Sequence, residues 1–276
     1  MAFSATWFLL EQEGLLAQAC LCNGLTALRR ANLGDKKGLF YSAFFELSIG
    51  FERVLKLILI LDHMAHKKLV PPDSKTVEDY GHKLRSLFDA TKAVCATHGV
   101  TVLDAFQADS LPIVILGFLD DFAHPGGRYS NINKLTGHKH QAMADPIREW
   151  GEIANRIMQT HATPRERQRA ELNGQIASAA FGDAAASLMS DMDQRQMDVA
   201  RLFTRAPELD AAAKHAIYAL VTLIAALRDV IDSLCDSAWA ANPPDKSGVA
   251  DVPDMKEFFQ FAWADRKYVM RKRQWP

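Results

Sequence analysis

Between residues 39 and 63, Phe40, Phe44, Leu47, Phe51, Val54, Ile58 and Leu61 recur at steps of 4, 3, 4, 3, 4 and 3. That alternation follows one face of a 3.6-residue turn and suits no β-strand, so it predicts a long helix packed along a seam. Leu55, Leu57 and Leu59 widen the apolar surface, which calls for burial of the C-terminal half on more than one side. Glu52 and Lys56 form an i, i+4 pair on what is left. Gly50, inside this helix, costs about 1 kcal/mol relative to alanine; a close helix crossing would account for it.

A second seam, Ala213, Ile217, Leu220, Ile224, Leu227, Ile231, Leu234 and Ala238, predicts a helix over 207–241, stopped by Asn242-Pro243-Pro244. Asp145-Pro146 and Thr163-Pro164 each read as a cap followed by proline in the first helical position, opening helices over 147–159 and from 164 onward. Further helices are expected over 6–31, 76–97 and 110–122, with breaks at 34–38, 70–74, 124–127, 136–142 and 242–253. The apolar run 111–119 matches a buried strand as well as a helix, but no second run exists to pair with it. The expected fold class is all-α, a bundle of seven to nine helices with a C-terminal helical extension. Residues 1–162 would form the bundle and 163–276 helices packed on it, as one body.

A chain with 49% hydrophobic and 24% charged residues, and only 15 Gly and 11 Pro, is globular rather than disordered. Its 33 acidic and 32 basic residues leave a net charge of −1, so no bulk field recruits nucleic acid or anionic lipid. Four cysteines do not make a disulfide scaffold, and Cys20 and Cys22 lack CxxC spacing; buried reduced thiols are expected. No apolar run approaches the ~20 residues that span a bilayer, and the first fourteen residues lack a basic leader region. No membrane partner and a cytoplasmic location are therefore expected. Phosphate-loop, dinucleotide, zinc-protease, esterase and zinc-spaced cysteine motifs are all missing, so no cofactor and no metal are expected.

The stretch with most chemistry is 120–133, where Asp120 and Asp121 end an apolar helix, Pro125-Gly126-Gly127 turns, and Arg128, Tyr129, Asn131 and Asn133 follow. Two carboxylates at a helix C-terminus oppose the macrodipole and want a counter-charge, for which Arg128 is the nearest candidate in sequence. On a helix starting near Arg128, Arg128, Asn131, Leu135 and His138 would fall within an arc of about 80°. An Arg, an amide and a His on one face can grip a phosphate and move a proton. Gly137 is the weak point of that helix. The competing reading is an Arg–Asp pair knitting a turn, with the Asn side chains as caps.

Phe44 to Leu57 (FFELSIGFERVLKL) resembles the second major helix of HEPN-type helical proteins, and Gly81 to Phe88 (GHKLRSLF) resembles the helix that follows it. Phe118-Leu119 to Phe122-Ala123, then Arg128 to Leu135 (RYSNINKL), is similar to uncharacterised bacterial members. The resemblance covers about residues 39–160. It implies a helical bundle, often dimeric, of bacterial defence and toxin–antitoxin systems. Catalytic members are metal-independent ribonucleases in which an Arg holds the phosphate and a His, after a polar residue and with four to six residues intervening, works on the ribose 2′-hydroxyl. Here nine residues separate Arg128 from His138, and Asn133, Lys134 and Leu135 stand where that His belongs. By this resemblance Arg128 and His138 are the candidate catalytic pair, and Asn131, Asn133, Lys134, Lys139 and His140 the candidate RNA contacts. Whether the chain is an enzyme stays open.

Other clusters read as structural. His138-Lys139-His140 suits a solvated loop, and Asp62, His63 and His66, before Lys67 and Lys68, suit a helix end. His82, beside Leu84, Leu87 and Phe88, suits a core or interface position. Region 125–170 carries eight basic and four acidic residues, while 171–213 is acidic, so the two can complement each other. Arg266, Lys267, Arg271, Lys272 and Arg273, interleaved with Tyr268 and followed by Trp275, form a basic arm able to follow a phosphodiester chain. The leading expectation is an RNA-binding or RNA-cleaving HEPN-like homodimer. Its rival is a non-catalytic module with a protein partner, and a third class is a small-molecule binder lined by Asp120, Asp121 and Arg128.

Overall fold

A computed structural model describes residues 2–137, 145–182, 186–241 and 248–276. The two seams form its two long central helices. Helix α1 (Ala5–Arg30) runs from the Ser4 cap, whose hydroxyl accepts from the Trp7 N–H. Helix α2 (Gly38–His66) lies against it, and every residue of the first seam is at most 2% exposed. The crossing is close because the helices exchange leucines for glycines. A Cβ on Gly24 would stand 2.6 Å from Leu47, and one on Gly50 would stand 2.8 Å from Leu21. The cost of Gly50 in a helix is thus offset by leucine packing at short range.

The helix expected over 76–97 is two helices, α3 (Ser74–Asp79) and α4 (Leu84–Thr97). Gly81, at φ +68°, divides them in the left-handed region that other residues resist. The apolar run is indeed helical, α5 (Leu111–Ala123). In place of the expected break at 124–127 there is a one-turn helix, α6 (Pro125–Arg128), followed by α7 (Ser130–Leu135). Gly127 allows that tight return, since a Cβ there would lie 2.7 Å from the Phe122 carbonyl oxygen. Helix α8 (Pro146–Thr160) starts from Asp145, and α9 (Pro164–Phe181) from a capping box in which Thr163 and Glu166 bond reciprocally.

The second seam begins earlier than its pattern shows. Helix α10 (Val199–Ala241) carries Pro207 in its interior, where proline removes a backbone hydrogen bond at a cost of about 3 kcal/mol. Its first turns are held on α9, with the Phe203 ring tilted beside Phe181 (centroids 6.4 Å apart) and Thr204 against Gly174. Strands β2 (Ala186–Ser190) and β3 (Gln196–Asp198), which no alternation in the sequence announces, pair antiparallel before it. The hairpin's turn is built on Asp191, whose carboxylate accepts from the Asp193 and Arg195 backbone N–H groups.

Helix α10 packs on α2, α8 and α9, and its seam is buried in one apolar core that runs from Leu10 to Trp275. The C-terminal region is woven into this core. Strand β4 (Val249–Ala250) pairs in parallel with β1 (Ala2–Phe3), and α11 (Arg266–Arg271) lies on α10. Trp275 is 3% exposed and donates its backbone N–H to Thr26 of α1. The basic arm is therefore anchored: Lys272 lies over the Tyr268 and Trp275 rings. Among the described residues, no helix is long and apolar enough to cross a membrane.

Candidate functional site

The counter-charge for Asp120 and Asp121 comes from 35 residues upstream. Arg85, in the first turn of α4, donates to Asp120 (3.0 Å) and, through both terminal nitrogens, to Asp121 (2.7 Å each). The bonds to Asp121, then those to Asp120, hold its guanidinium more firmly cationic than usual. Asp120 is buried and also accepts the Leu84 N–H at 2.7 Å, so the end of α5 caps the start of α4. One carboxylate thereby serves an orphan helix donor and a cation at once. The expected pairing of Asp120 and Asp121 with Arg128 does not occur.

Arg128 is left without an acid. Among the described residues its side chain makes no ion pair or hydrogen bond. Its guanidinium sits 5.8 Å from the Phe45 ring centroid, and its Nε is buried without a partner. Arg128 lines a groove of about 1000 Å³ between α1, α2, α3 and the α5–α6 corner. The floor is apolar, made by Ile49, Leu57, Ile60, Val77 and Ala123. Its charged rim has two kinds of member. Arg53 is paired with Glu13 and Lys56 with Glu52, and His82 Nδ1 lies 2.8 Å from the same Glu52 carboxylate. Burial pushes the Glu52 carboxyl up, but the bonds from His82 and Lys56 outweigh it and hold the group below its ordinary value. Lys83, His124 and Arg128 have no carboxylate partner among the described residues.

The continuous helix from Arg128 to His138 is not formed. The chain breaks at Tyr129, α7 ends at Leu135, and Gly137 takes φ +66°. Asn131 donates to the Tyr41 hydroxyl (3.1 Å), and Lys134 lies 3.8 Å from Asp145. Neither these two nor Asn133 lines the groove. His138, Lys139 and His140 lie outside the described residues. Of the sequence candidates Asp120 joins Arg128 in the groove; two further members were not candidates, Lys83, which Gly81 frees from the preceding helix, and His124, one turn before Arg128. His82 is exposed rather than part of the core.

Compared with known proteins, the chain matches no family model, no curated protein and no solved structure.

Proposed function

We propose that the groove binds single-stranded RNA, with Arg128 and Lys83 on the phosphodiester backbone and the apolar floor against sugar or base. The observation that carries this reading is the pair of cations without acids among the described residues, one of them with a buried, unpartnered Nε. An anionic oxygen is the group that satisfies both. The resemblance to HEPN-type bundles favours the same ligand and a bacterial defence or toxin–antitoxin setting. Binding is the primary role. Where cleavage follows, His124 and His82 are the groove imidazoles able to move a proton.

Fluorescence anisotropy with a single-stranded RNA tests it. Binding should weaken with salt, and Arg128→Ala and Lys83→Ala should each reduce the salt slope by about one. Wild-type protein that does not bind at low salt, or an Arg128→Ala variant that binds like wild type, would overturn the reading. Incubating total RNA in EDTA with wild type and with the Arg128→Ala and His124→Ala variants separates cleavage from retention.

A second reading, self-association or docking of a protein partner, is favoured by the outer face of α1. Phe8, Leu9, Leu15 and Leu16 are 46–63% exposed there, and an apolar row of this kind marks interaction surfaces. Sedimentation of wild type against Leu16→Glu tests the homodimer.

A further inference from the structure

We propose that Asp62, His66 and His98 form a binding site for one divalent transition metal of the zinc type, separate from the groove. Asp62 and His66 are one turn apart near the C-terminus of α2, and His98 caps the C-terminus of α4. The packing of the two helices brings one donor atom from each residue within 4.8 Å of the others. His98 Nε2 is 2.8 Å and His66 Nδ1 3.3 Å from the same Asp62 Oδ1. The imidazoles meet edge to face, centroids 5.3 Å apart.

Charge and geometry favour a cation among these atoms. Asp62 sits where the helix carbonyls gather partial negative charge, so its carboxylate is unfavourable without a counter-ion. Lys67 and Lys68 follow directly, yet neither pairs with it among the described residues. Around a tetrahedral ion with bonds of about 2.0–2.2 Å, donors lie about 3.3 Å apart, so small side-chain rotations from the present spacing suffice. Two nitrogens and one oxygen select zinc, cobalt or nickel over magnesium or calcium. Ligation through Nε2 takes His98 with its proton on Nδ1, so loading exchanges the His98–Asp62 hydrogen bond for a bond from each residue to the ion. His66, half exposed, leaves the remaining coordination position facing water.

The test is calorimetric titration of the full chain with zinc chloride, alongside visible absorption of its cobalt(II) form. One ion per chain and a tetrahedral cobalt spectrum are expected. His66→Ala and His98→Ala should each lose zinc affinity by more than the roughly 10–100-fold that removal of an outer-shell partner costs. His63→Ala, next to the site, should bind as wild type does. Zinc should raise the melting temperature of wild type but not of the two ligand variants. If His98→Ala fails to fold, the exposed His66→Ala decides. Binding that is absent, exceeds one ion per chain, or is unchanged in His66→Ala would overturn the proposal and leave a hydrogen-bonded triad joining α2 to α4. The groove uses none of these residues, so RNA retention in EDTA stands or falls separately.

Discussion

Two of the concavities that carry arginines differ in what their cations face. In the cleft between α8, the hairpin and the start of α10, three of the four arginines are paired: Arg201 meets buried Asp191 at 2.7 Å, Arg205 meets Glu208, and Arg148 lies between Glu152 and Asp193. In the α2 groove, Arg128 and Lys83 meet no acid among the described residues, and Asp120, which also lines it, is committed to Arg85 and the Leu84 N–H. In the sequence Arg128 and Arg148 fall in the basic stretch 125–170, and Arg201 and Arg205 in the acidic stretch 171–213. Pairing, not the number of cations, separates charge that fastens the fold from charge free for a ligand.

Substitutions in the two places should therefore have opposite signatures. The largest effect falls on the carboxylate that ties the end of α5 to the start of α4. Asp120→Ala strands the buried Leu84 N–H and removes one of the three Arg85 hydrogen bonds, and should cost about 2–3 kcal/mol of stability in urea unfolding. A loss below 0.5 kcal/mol, on the order of a bland surface change, would show that the corner is not held this way. Next comes Arg128→Ala, which should reduce RNA affinity roughly tenfold or more, the worth of a charged hydrogen bond, while leaving the unfolding midpoint unchanged. Arg201→Ala should do the reverse, lowering stability by about 1 kcal/mol with RNA affinity intact. If both arginines change affinity equally, the contrast between the concavities collapses.

The smallest effect is a pH dependence. The Glu52 carboxyl titrates lower in the folded chain than its ordinary 4.5, so the unfolded chain binds the proton first as pH falls. Its contribution is complete above that value and is lost as pH drops through the lower, folded one. Glu52→Gln should flatten the stability profile below about pH 4.5 and leave it unchanged near neutrality. An unaltered acid limb would remove the His82–Glu52–Lys56 cluster from the groove's electrostatics.

Local pattern carried the fold well where burial is continuous. The seams of α2 and α10, the proline-opened helices α8 and α9 and the Gly50 crossing all follow from side-chain periodicity and capping chemistry, which act over a few residues. Legibility failed where a distant partner decides. Pro207 reads as a start because the packing of Phe203 on Phe181, which carries the helix past it, lies outside any local window. Arg128 looks like the partner of Asp120 because it is near in sequence, whereas Arg85 is near in space. The split of 76–97 had a signal in Gly81, and with it the exposure of His82 and Lys83. The approach of His98 to Asp62 and His66 had none, since it depends on how α2 and α4 come together.

The anchoring of Trp275 on Thr26 also bears on the order of synthesis. These two residues are 249 positions apart, so the edge of the first helix is made long before the segment that covers it. At about 5–20 residues per second, a ribosome leaves that edge bare for roughly 12–50 s. That helix can dock on its neighbour within that time, but the last turn of its surface closes only after those further 249 residues have been made. Completion of this fold is thus a late event, and the nascent chain passes through a long interval in which a chaperone or a second nascent chain can reach what the finished protein hides.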